Sequence, residues 1–405
     1  MSNVNPGDVE LKKVSLITDK GYINFPLINI LNASVYENMM SLGVYVKFSV
    51  SDMAGILENV NMRTGEVKGI FSFSVPGSEE RKYEDLRLES IKKVQDIGYS
   101  GSKVYEVTLY SKHLFKNISK NIMGAYENSV GDIVKKIAKE IGIEKWKEFE
   151  NTKGNQKFLA QNFKADYLLH DLTLRAVSQQ NPSSLYFLFE NKEGHNFTTL
   201  ETLFKQQPLR KMVRENARGS NTKYNTMKEG QIINYVYPKS TSLSHMIMGA
   251  RKQEIRESSP GNHLNNSKTY NKKDTDFTSG GKSSFLGSIQ ETYGKDIGHA
   301  QTIPSDPAYL PRNYLTQYAQ NKQSYLSYIT DNCLNIQTHG DTAYTPGKIL
   351  DVNLPTNDGT TGPRKFDQQM NGKMVIVGVR HEIRGNRTSP RYICHLDLLK
   401  GSHSG

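Results

Sequence analysis

Residues 349–355 read Ile-Leu-Asp-Val-Asn-Leu-Pro, and residues 70–76 read Ile-Phe-Ser-Phe-Ser-Val-Pro. Each heptapeptide alternates apolar and polar side chains, which is the pattern of a β-strand with one buried face. Each also stops at a proline, which cannot donate a hydrogen bond to a sheet ladder and therefore ends the strand. The later heptapeptide opens residues 347–400, the stretch on which the predicted fold depends, and the earlier one opens a similar stretch near the start of the chain.

A β-hairpin is predicted after each heptapeptide, because two alternating segments follow on either side of a glycine-containing turn. The paired segments are Lys373–Ile383 with Arg391–Leu399 across Gly385-Asn386, and Tyr83–Val94 with Val104–Lys112 across Gly98–Gly101. Strand, proline and hairpin therefore recur in the same order.

The spacing inside the two stretches is nearly the same. Ile70 and Ile349 lie 279 positions apart, and Tyr105 and Tyr392, which open similar closing strands, lie 287 apart. We interpret the two stretches as copies of one antiparallel β module. The alternative is that two unrelated hairpins resemble each other by chance.

The predicted fold class is α+β, mainly β, with two similar antiparallel β-barrels. Length alone suggests two to four domains. The predicted domains are a first barrel at 1–116, an α+β insert at 117–205, a second barrel at 206–257 plus 330–405, and an insertion at 258–329. Within this last insertion we expect a polar arm over 258–288, poor in groups to bury, and a helix over 314–330.

The insert is expected to hold two helices and a β-hairpin. Ser129-x-x-Asp132 is a capping box that starts a helix, which Gly142 is expected to end. A second helix is predicted from Asp166 to about Gln180, with Asn181-Pro182 as its stop. The predicted hairpin pairs residues 185–190 with residues 195–200.

Composition excludes several classes of protein. No segment approaches the roughly 18 apolar residues of a membrane span, and the N-terminus lacks the pattern of a signal peptide, so no membrane anchor is expected. Cys333 and Cys394 are the only cysteines, which excludes a disulfide framework and fits assembly in a reducing cytoplasm.

The formal net charge is +11, and much of the excess lies between residues 205 and 228. We interpret this segment as a connector that faces solvent or a partner, because no nucleic-acid-binding motif accompanies it. The alternative is a protein that binds single-stranded nucleic acid, in which charge reversal at Arg210, Lys211 and Arg214 would remove salt-sensitive binding.

No catalytic residue, cofactor site or metal site is predicted, and the chain is not expected to be an enzyme. Thr278–Ser283 lacks the first glycine of a phosphate-binding loop, since position 276 is aspartate. His381 and His395 could face each other in one hairpin, but two histidines without a carboxylate make a weak metal site. A glycosidase pair would have to be assembled by folding from scattered glutamates, namely Glu37, Glu58, Glu190 and Glu201.

Three groups of residues resemble the baseplate hub proteins of contractile-tailed bacteriophages and the first part of type VI secretion spike (VgrG) proteins. Asp171–Ser184 and Phe187–Leu203 are similar to the helix and hairpin of that family's insert. The second barrel and its closing hairpin are matched by Gly340–Thr342, Pro346–Pro355, Asn371–Ile376, Arg380-His381 and Tyr392–Lys400. The resemblance covers most of the chain and is weakest across 205–312.

The resemblance implies a homotrimer whose six barrels form a ring, so that a sixfold tail tube meets a threefold central spike. The implied partners are a trimeric spike or needle protein, the tail tube or its initiator, and genomic DNA that passes through the channel, with baseplate wedge proteins as further candidates. The implied location is the virion tail, assembled in the host cytoplasm. Because the chain ends at Gly405 without a tip domain, the needle is expected to be a separate protein; a tail-tip cell-wall hydrolase is the lesser alternative.

Overall fold

A computed structural model describes residues 7–19, 21–59, 67–97, 102–181, 185–214, 230–237, 252–259, 264–271, 299–304, 333–355, 371–385 and 391–400. These residues are mostly in β-strands, which confirms the prediction of an α+β, mainly β protein. In the described part of the chain, every helix is too short or too polar to cross a lipid bilayer.

The strands, numbered in chain order, are β1 (Glu10–Thr18), β2 (Gly21–Asn24), β3 (Ile30–Asn38), β4 (Tyr45–Asp52), β5 (Lys68–Ser74), β6 (Arg81–Ile97), β7 (Ser102–Ser111), β8 (Asn121–Ser129), β9 (Trp146–Phe149), β10 (Asn155–Lys164), β11 (Tyr186–Asn191), β12 (Gly194–Thr199), β13 (Arg210–Val213), β14 (Ile232–Val236), β15 (Lys252–Ser259), β16 (Leu264–Asn271), β17 (His299–Pro304), β18 (Cys333–His339), β19 (Ile349–Asn353), β20 (Gly372–Arg384) and β21 (Arg391–Lys400). The helices are α1 (Ile56–Asn59), α2 (Lys112–Ser119), α3 (Val130–Glu140), α4 (Ala165–Arg175) and α5 (Leu200–Phe204).

Thirteen strands form one sheet, and its two halves have the same strand order. The first half runs β1-β5-β6-β7-β4-β3, with β2 beyond β1, and the second half runs β13-β19-β20-β21-β18-β14. Corresponding strands also follow one another in the same order along the chain. The halves differ at one edge, because β1 is antiparallel to β5 whereas β13 is parallel to β19.

Two β-bulges recur at corresponding places in the two halves. The β3–β4 register shifts between Ile30 and Asn32, and the β14–β18 register shifts between Ile232 and Asn234. Likewise the β6–β7 ladder shifts just after Leu88, and the β20–β21 ladder shifts just after Ile376. A bulge is a specific irregularity of a ladder, so its recurrence supports an internal repeat more strongly than the presence of hairpins does.

The bulges also correct the residue-by-residue match that the sequence suggests. With the bulges aligned, Leu88 of the first half corresponds to Ile376 of the second. The adjoining ladders then make Lys68, rather than Ile70, the residue that corresponds to Ile349. The expected match is therefore wrong by two residues in this strand. The closing strands are shifted by the same amount, since Leu109 then corresponds to Leu398 and Tyr105 to Cys394 rather than to Tyr392.

The two halves share one hydrophobic core. Its largest side chains come from both halves and include Phe48, Phe71, Phe73, Tyr105, Tyr344 and Tyr392. Of the alternating residues predicted to lie on one face, Phe71, Phe73, Leu350, Val352 and Leu354 are all but excluded from solvent, and Val75 is partly buried. The strand order is an open path from β14 to β2 among the described residues, and the domain boundaries given above stay a prediction.

The α+β insert has a separate core, in which α3 and α4 pack on the ribbon formed by β8 and β10. The capping box is present: the Ser129 hydroxyl accepts the Asp132 N–H at 3.2 Å and donates to the Asp132 carboxylate at 2.7 Å. Helix α3 ends just before Gly142, whose φ is +94°. The hairpin formed by β11 and β12 lies where it was predicted.

Two predictions about these regions are wrong. Helix α4 ends at Arg175 rather than near Gln180, because the following backbone pairs elsewhere: Lys153 N–H donates to the Val177 carbonyl at 2.9 Å. Residues 264–271, expected to belong to a polar arm, form strand β16, which pairs antiparallel with β15, because backbone N–H and C=O groups can pair in a ladder whatever the polarity of the sequence. The helix predicted over 314–330 lies outside the described residues.

Candidate functional site: the joint between the two halves of the sheet

Strands β3 and β20 join the two halves of the sheet within one chain. They pair antiparallel, with Asn38 opposite Gly378 at one end and Asn32 opposite Arg384 at the other. Alternate residues of this ladder, such as Val35 and His381, point into the shared core. Because the joint uses a full backbone ladder, it fixes the orientation of one half relative to the other.

A buried ion pair between Arg81 and Glu37 lies beside this joint, and both side chains are wholly excluded from solvent. The Arg81 guanidinium also donates to the carbonyls of Thr342 at 2.9 Å and Tyr344 at 2.8 Å. Tyr83 OH donates to the Glu37 carboxylate at 2.9 Å. Arg81, Glu37 and Tyr83 belong to the first half, and the two carbonyls belong to the second.

The charges are fully compensated inside this network. Burial by itself would lower the pKa of Arg81, but Glu37 and then Tyr83 raise that pKa above its ordinary value, so the guanidinium keeps its charge. Thr345 Oγ1 also donates to the Glu37 carboxylate at 2.8 Å, so both oxygens of this carboxylate accept hydrogen bonds. A buried ion pair contributes little net stability, but its demanding geometry favours one arrangement of the parts that it connects.

The insert reaches the same point. The Lys192 ammonium donates to the Thr342 carbonyl at 2.9 Å, and the Asn191 amide donates to the Pro346 carbonyl at 3.0 Å. The 342–346 loop therefore receives hydrogen bonds from the first half and from the insert. This arrangement holds the two halves of the sheet and the insert in fixed positions. Its polar groups are already hydrogen-bonded to one another, so they are not available to bind a small substrate.

The two histidines of the predicted hairpin do not face each other, which corrects that expectation. In the β20–β21 register, His381 is opposite Cys394 and His395 is opposite Arg380, so the two rings lie on opposite faces of the sheet. His381 Nδ1 lies 2.6 Å from Tyr392 OH inside the core, where burial lowers the pKa of His381. No group of three potential metal ligands occurs among the residues that the structure describes.

Of the four glutamates considered for a glycosidase pair, Glu37 and Glu190 lie near enough for the charge of Glu37 to act on Glu190, but Glu37 is held in an ion pair with Arg81. Glu190 is mostly buried where Ser111 of the first half meets the insert, and burial, with a smaller contribution from Glu37, raises its pKa to about 7. His195 lies beside Glu190, with Nε2 and Oε1 3.9 Å apart. Glu201 lies on α5, and nothing is described of the Glu58 side chain. Residues 278–283, which resemble a phosphate-binding loop, lie outside the described residues.

Part of the basic segment is built into the sheet. Arg210 on β13 forms a 2.8 Å ion pair with Asp341, and Arg214 donates to the Ile232 carbonyl at 2.9 Å. Lys211 between them is exposed. The Lys205 ammonium donates to the Asn181 amide oxygen at 2.8 Å. Arg218, Lys223 and Lys228 lie outside the described residues.

Each strand of the joint has a counterpart in the other half of the sheet, and the edges of these two counterparts correspond to the two sides of the joint. Strand β6 corresponds to β20 and strand β14 corresponds to β3. Yet no described strand pairs with the outer edge of β14 or with β6 beyond the end of β5. Sequence reasoning found the repeat but missed these edges and the Arg81–Glu37 pair, because both depend on strand order.

Comparison with solved structures finds phage tail proteins along nearly the full chain. The tail protein from Neisseria meningitidis MC58 has a TM-score of 0.56 at 11% identity, covering 97% of this chain and 98% of its own. The prophage MuSo2 43 kDa tail protein from Shewanella oneidensis has a TM-score of 0.57 at 9% identity, covering 97% and 100%.

A third neighbour is the Escherichia coli c3393 protein, described as a type VI secretion system component. It has a TM-score of 0.46 at 12% identity and covers 96% of this chain and 76% of that one. No family model matches the sequence. No curated protein matches it either. At these identities the Neisseria and Shewanella tail proteins establish architecture alone, and the fold of the chain is similar to that of these tail proteins.

Proposed function

We propose that this chain is a structural baseplate hub of a contractile tail, of which three copies close into a ring. The observation that supports this most directly is the joint between β3 and β20, together with the two unpaired edges that correspond to it. If the contact between the halves of one chain is repeated between chains, β6 of one protomer pairs with β14 of the next. Three chains then present six similar sheet halves around one axis.

The chemistry of the two edges fits such a contact. The internal joint pairs Ser34 with Glu382. The corresponding positions are Val236 on β14 and the bulge at Val94-Gln95 on β6. Val236 is 56% exposed and Val94 is 42% exposed in the single chain. Unpaired strand edges with exposed apolar residues invite pairing with another strand, and a second copy of the chain would cover both.

Such a ring would act as a passive adaptor. Its repeated halves offer near-sixfold contacts to a tail tube or tube initiator, and features present once per chain offer threefold contacts to a trimeric spike. A central channel would let genomic DNA pass once the spike has left. Baseplate wedge proteins are further partners in this proposal, the location is the virion tail after assembly in the host cytoplasm, and no enzymatic activity is required.

The test is the oligomeric state of the purified protein and of edge variants. Mass photometry at micromolar concentration is expected to show three times the chain mass of 45.8 kDa, and cryo-EM is expected to show a ring. Val236→Lys should break the ring and leave a folded monomer, and adding Val94→Glu should restore it through an opposite charge. A strictly monomeric wild-type protein, with no ring in virions, would refute the proposal.

The matched control is Met123→Lys on β8. Met123 is also a highly exposed apolar residue on a strand, but β8 belongs to the insert ribbon and not to the proposed contact. This variant should form rings like the wild type. Dissociation by Met123→Lys as well would show that added charge, rather than the β6–β14 contact, is responsible.

A further inference from the structure

An apolar cavity of about 390 Å³ lies at the end of the β3–β20 joint. Its walls come from the starts of β1 and β3, the loop after β4 and the end of β20. Four apolar side chains of this wall are exposed, namely Ile28 at 67%, Met53 at 64%, Leu31 at 42% and Leu27 at 39%. Monomeric proteins rarely expose so many large apolar side chains together unless the surface binds something.

Hydrogen bonds hold the walls in place. The Asp52 carboxylate accepts the N–H groups of Ala54 at 3.1 Å, Ile56 at 3.0 Å and Leu57 at 2.9 Å, which fixes the loop that carries Met53. On the opposite wall, Gly385 N–H donates to the Leu31 carbonyl at 2.8 Å. The cavity is therefore pre-formed, and a bound segment would not have to order the loop first.

Two exposed side chains of this cavity have no apolar counterpart in the second half of the sheet. By the match that the bulges establish, Ile28 corresponds to Gly230 and Met53 corresponds to Asp341. Gly230 is buried, and Asp341 is engaged by Arg210 in a 2.8 Å ion pair. Among the described residues, the strand framework therefore occurs twice, whereas the exposed apolar side chains of Ile28 and Met53 belong to the first half alone.

We propose that this cavity binds an uncharged, apolar peptide segment of a partner that is held in three copies per ring. The inference rests on the trimeric ring proposed above. A sixfold partner would place identical segments over three apolar cavities and three Gly230–Asp341 surfaces, and half of its contacts would be mismatched. Among the described lining residues Glu10 is the one titratable group, so recognition depends on apolar burial rather than on charge.

The experiment uses the full chain and the tail proteins encoded with it, each expressed with a purification tag. Native mass spectrometry of mixtures reports both the ring and the number of partner copies bound. The variants are Ile28→Asp and Met53→Asp, and the control is Tyr22→Asp, since Tyr22 is equally exposed but lies on β2. Ile28→Ser serves as a milder variant if either aspartate variant fails to fold.

We expect both cavity variants to keep the trimeric ring and to weaken one partner at least tenfold, that partner being bound at three copies per wild-type ring. The Tyr22→Asp control should bind it normally. The proposal is overturned if no partner is weakened, if Tyr22→Asp weakens it equally, or if the weakened partner binds at six copies. Loss of the ring in the wild type would instead refute the proposed function, which the same spectra report separately.

Discussion

Arg81 and Glu37 form an ion pair with no solvent exposure, and the guanidinium also binds two carbonyls from the other half of the sheet. Desolvating either charge alone is costly, so each is tolerable only because the other is present. Both charged residues belong to the first half and the two carbonyls belong to the second. The full set of hydrogen bonds at the joint therefore forms only when both halves are folded.

Arg81→Met should destabilise the chain by about 3–5 kcal/mol, because it leaves the Glu37 carboxylate buried without a counter-charge. The double variant Arg81→Met/Glu37→Leu should recover much of that loss. Urea unfolding measures both. Lys82→Met, which removes a solvent-exposed ion pair with Glu84, is the control and should leave the urea midpoint almost unchanged. A double variant no more stable than Arg81→Met would contradict this account.

Gly340 is expected to tolerate no side chain. A Cβ atom there would lie 2.0 Å from ring carbons of Tyr392, a buried ring whose hydroxyl is hydrogen-bonded to His381. Overpacking of this kind costs about 1–3 kcal/mol or more, so Gly340→Ala should lower the melting temperature. The clash involves ring carbons, so the loss should persist in a Tyr392→Phe background. A Gly340→Ala protein with unchanged melting would show that the 340 loop can move.

Glu190 should make stability depend on pH, since burial raises its pKa to about 7 from an ordinary value of 4.5. Below pH 4.5 the folded and unfolded states both hold the proton, and Glu190 contributes nothing. Between pH 4.5 and 7 the unfolded chain releases a proton that the folded chain keeps, so stability falls as pH rises. The full cost, reached above pH 7, is about 3 kcal/mol at about 1.4 kcal/mol per pKa unit.

Glu190→Gln should therefore raise the urea midpoint at pH 8 by more than it changes the midpoint at pH 5. Glu193→Gln is the control with the opposite sign: burial would raise the pKa of Glu193, but Lys348 lowers it below its ordinary value overall. Removing that carboxylate should cost stability at pH 8. Equal effects of Glu190→Gln at the two pH values would contradict the assignment.

Local sequence patterns predicted the features of the fold that depend on residues close together in the chain, such as strands and helix starts. Alternation at residues 70–75 and 349–354 indicated strands because one face of each packs into the core, and the Ser129–Asp132 box marked a helix start. Strands β8 and β10 were missed because their outer face carries apolar residues, among them Met123 and Leu159, which weakens the alternation. The Arg81–Glu37 pair has no local signature, since its partners at 342–345 are about 260 positions away in sequence.

The nucleic-acid alternative can be tested with Lys211, and the structure changes the design of that test. Arg210 and Arg214 are tied to Asp341 and to a backbone carbonyl, so reversing their charge would disturb the sheet whether or not DNA binds. Arg210→Glu should lower the melting temperature. Exposed Lys211→Glu should leave it unchanged.

Fluorescence polarisation with a labelled oligothymidylate measures binding for wild type and Lys211→Glu over a range of salt. If the protein is a structural hub in which β13 serves only the sheet, Lys211→Glu should not change the affinity for the oligothymidylate. If Lys211 instead contacted a phosphate, its reversal would weaken binding uniformly and lower the salt slope by about 1. That change in slope, at unchanged melting temperature, would favour a nucleic-acid binder, because a disturbed sheet would lower the melting temperature as well.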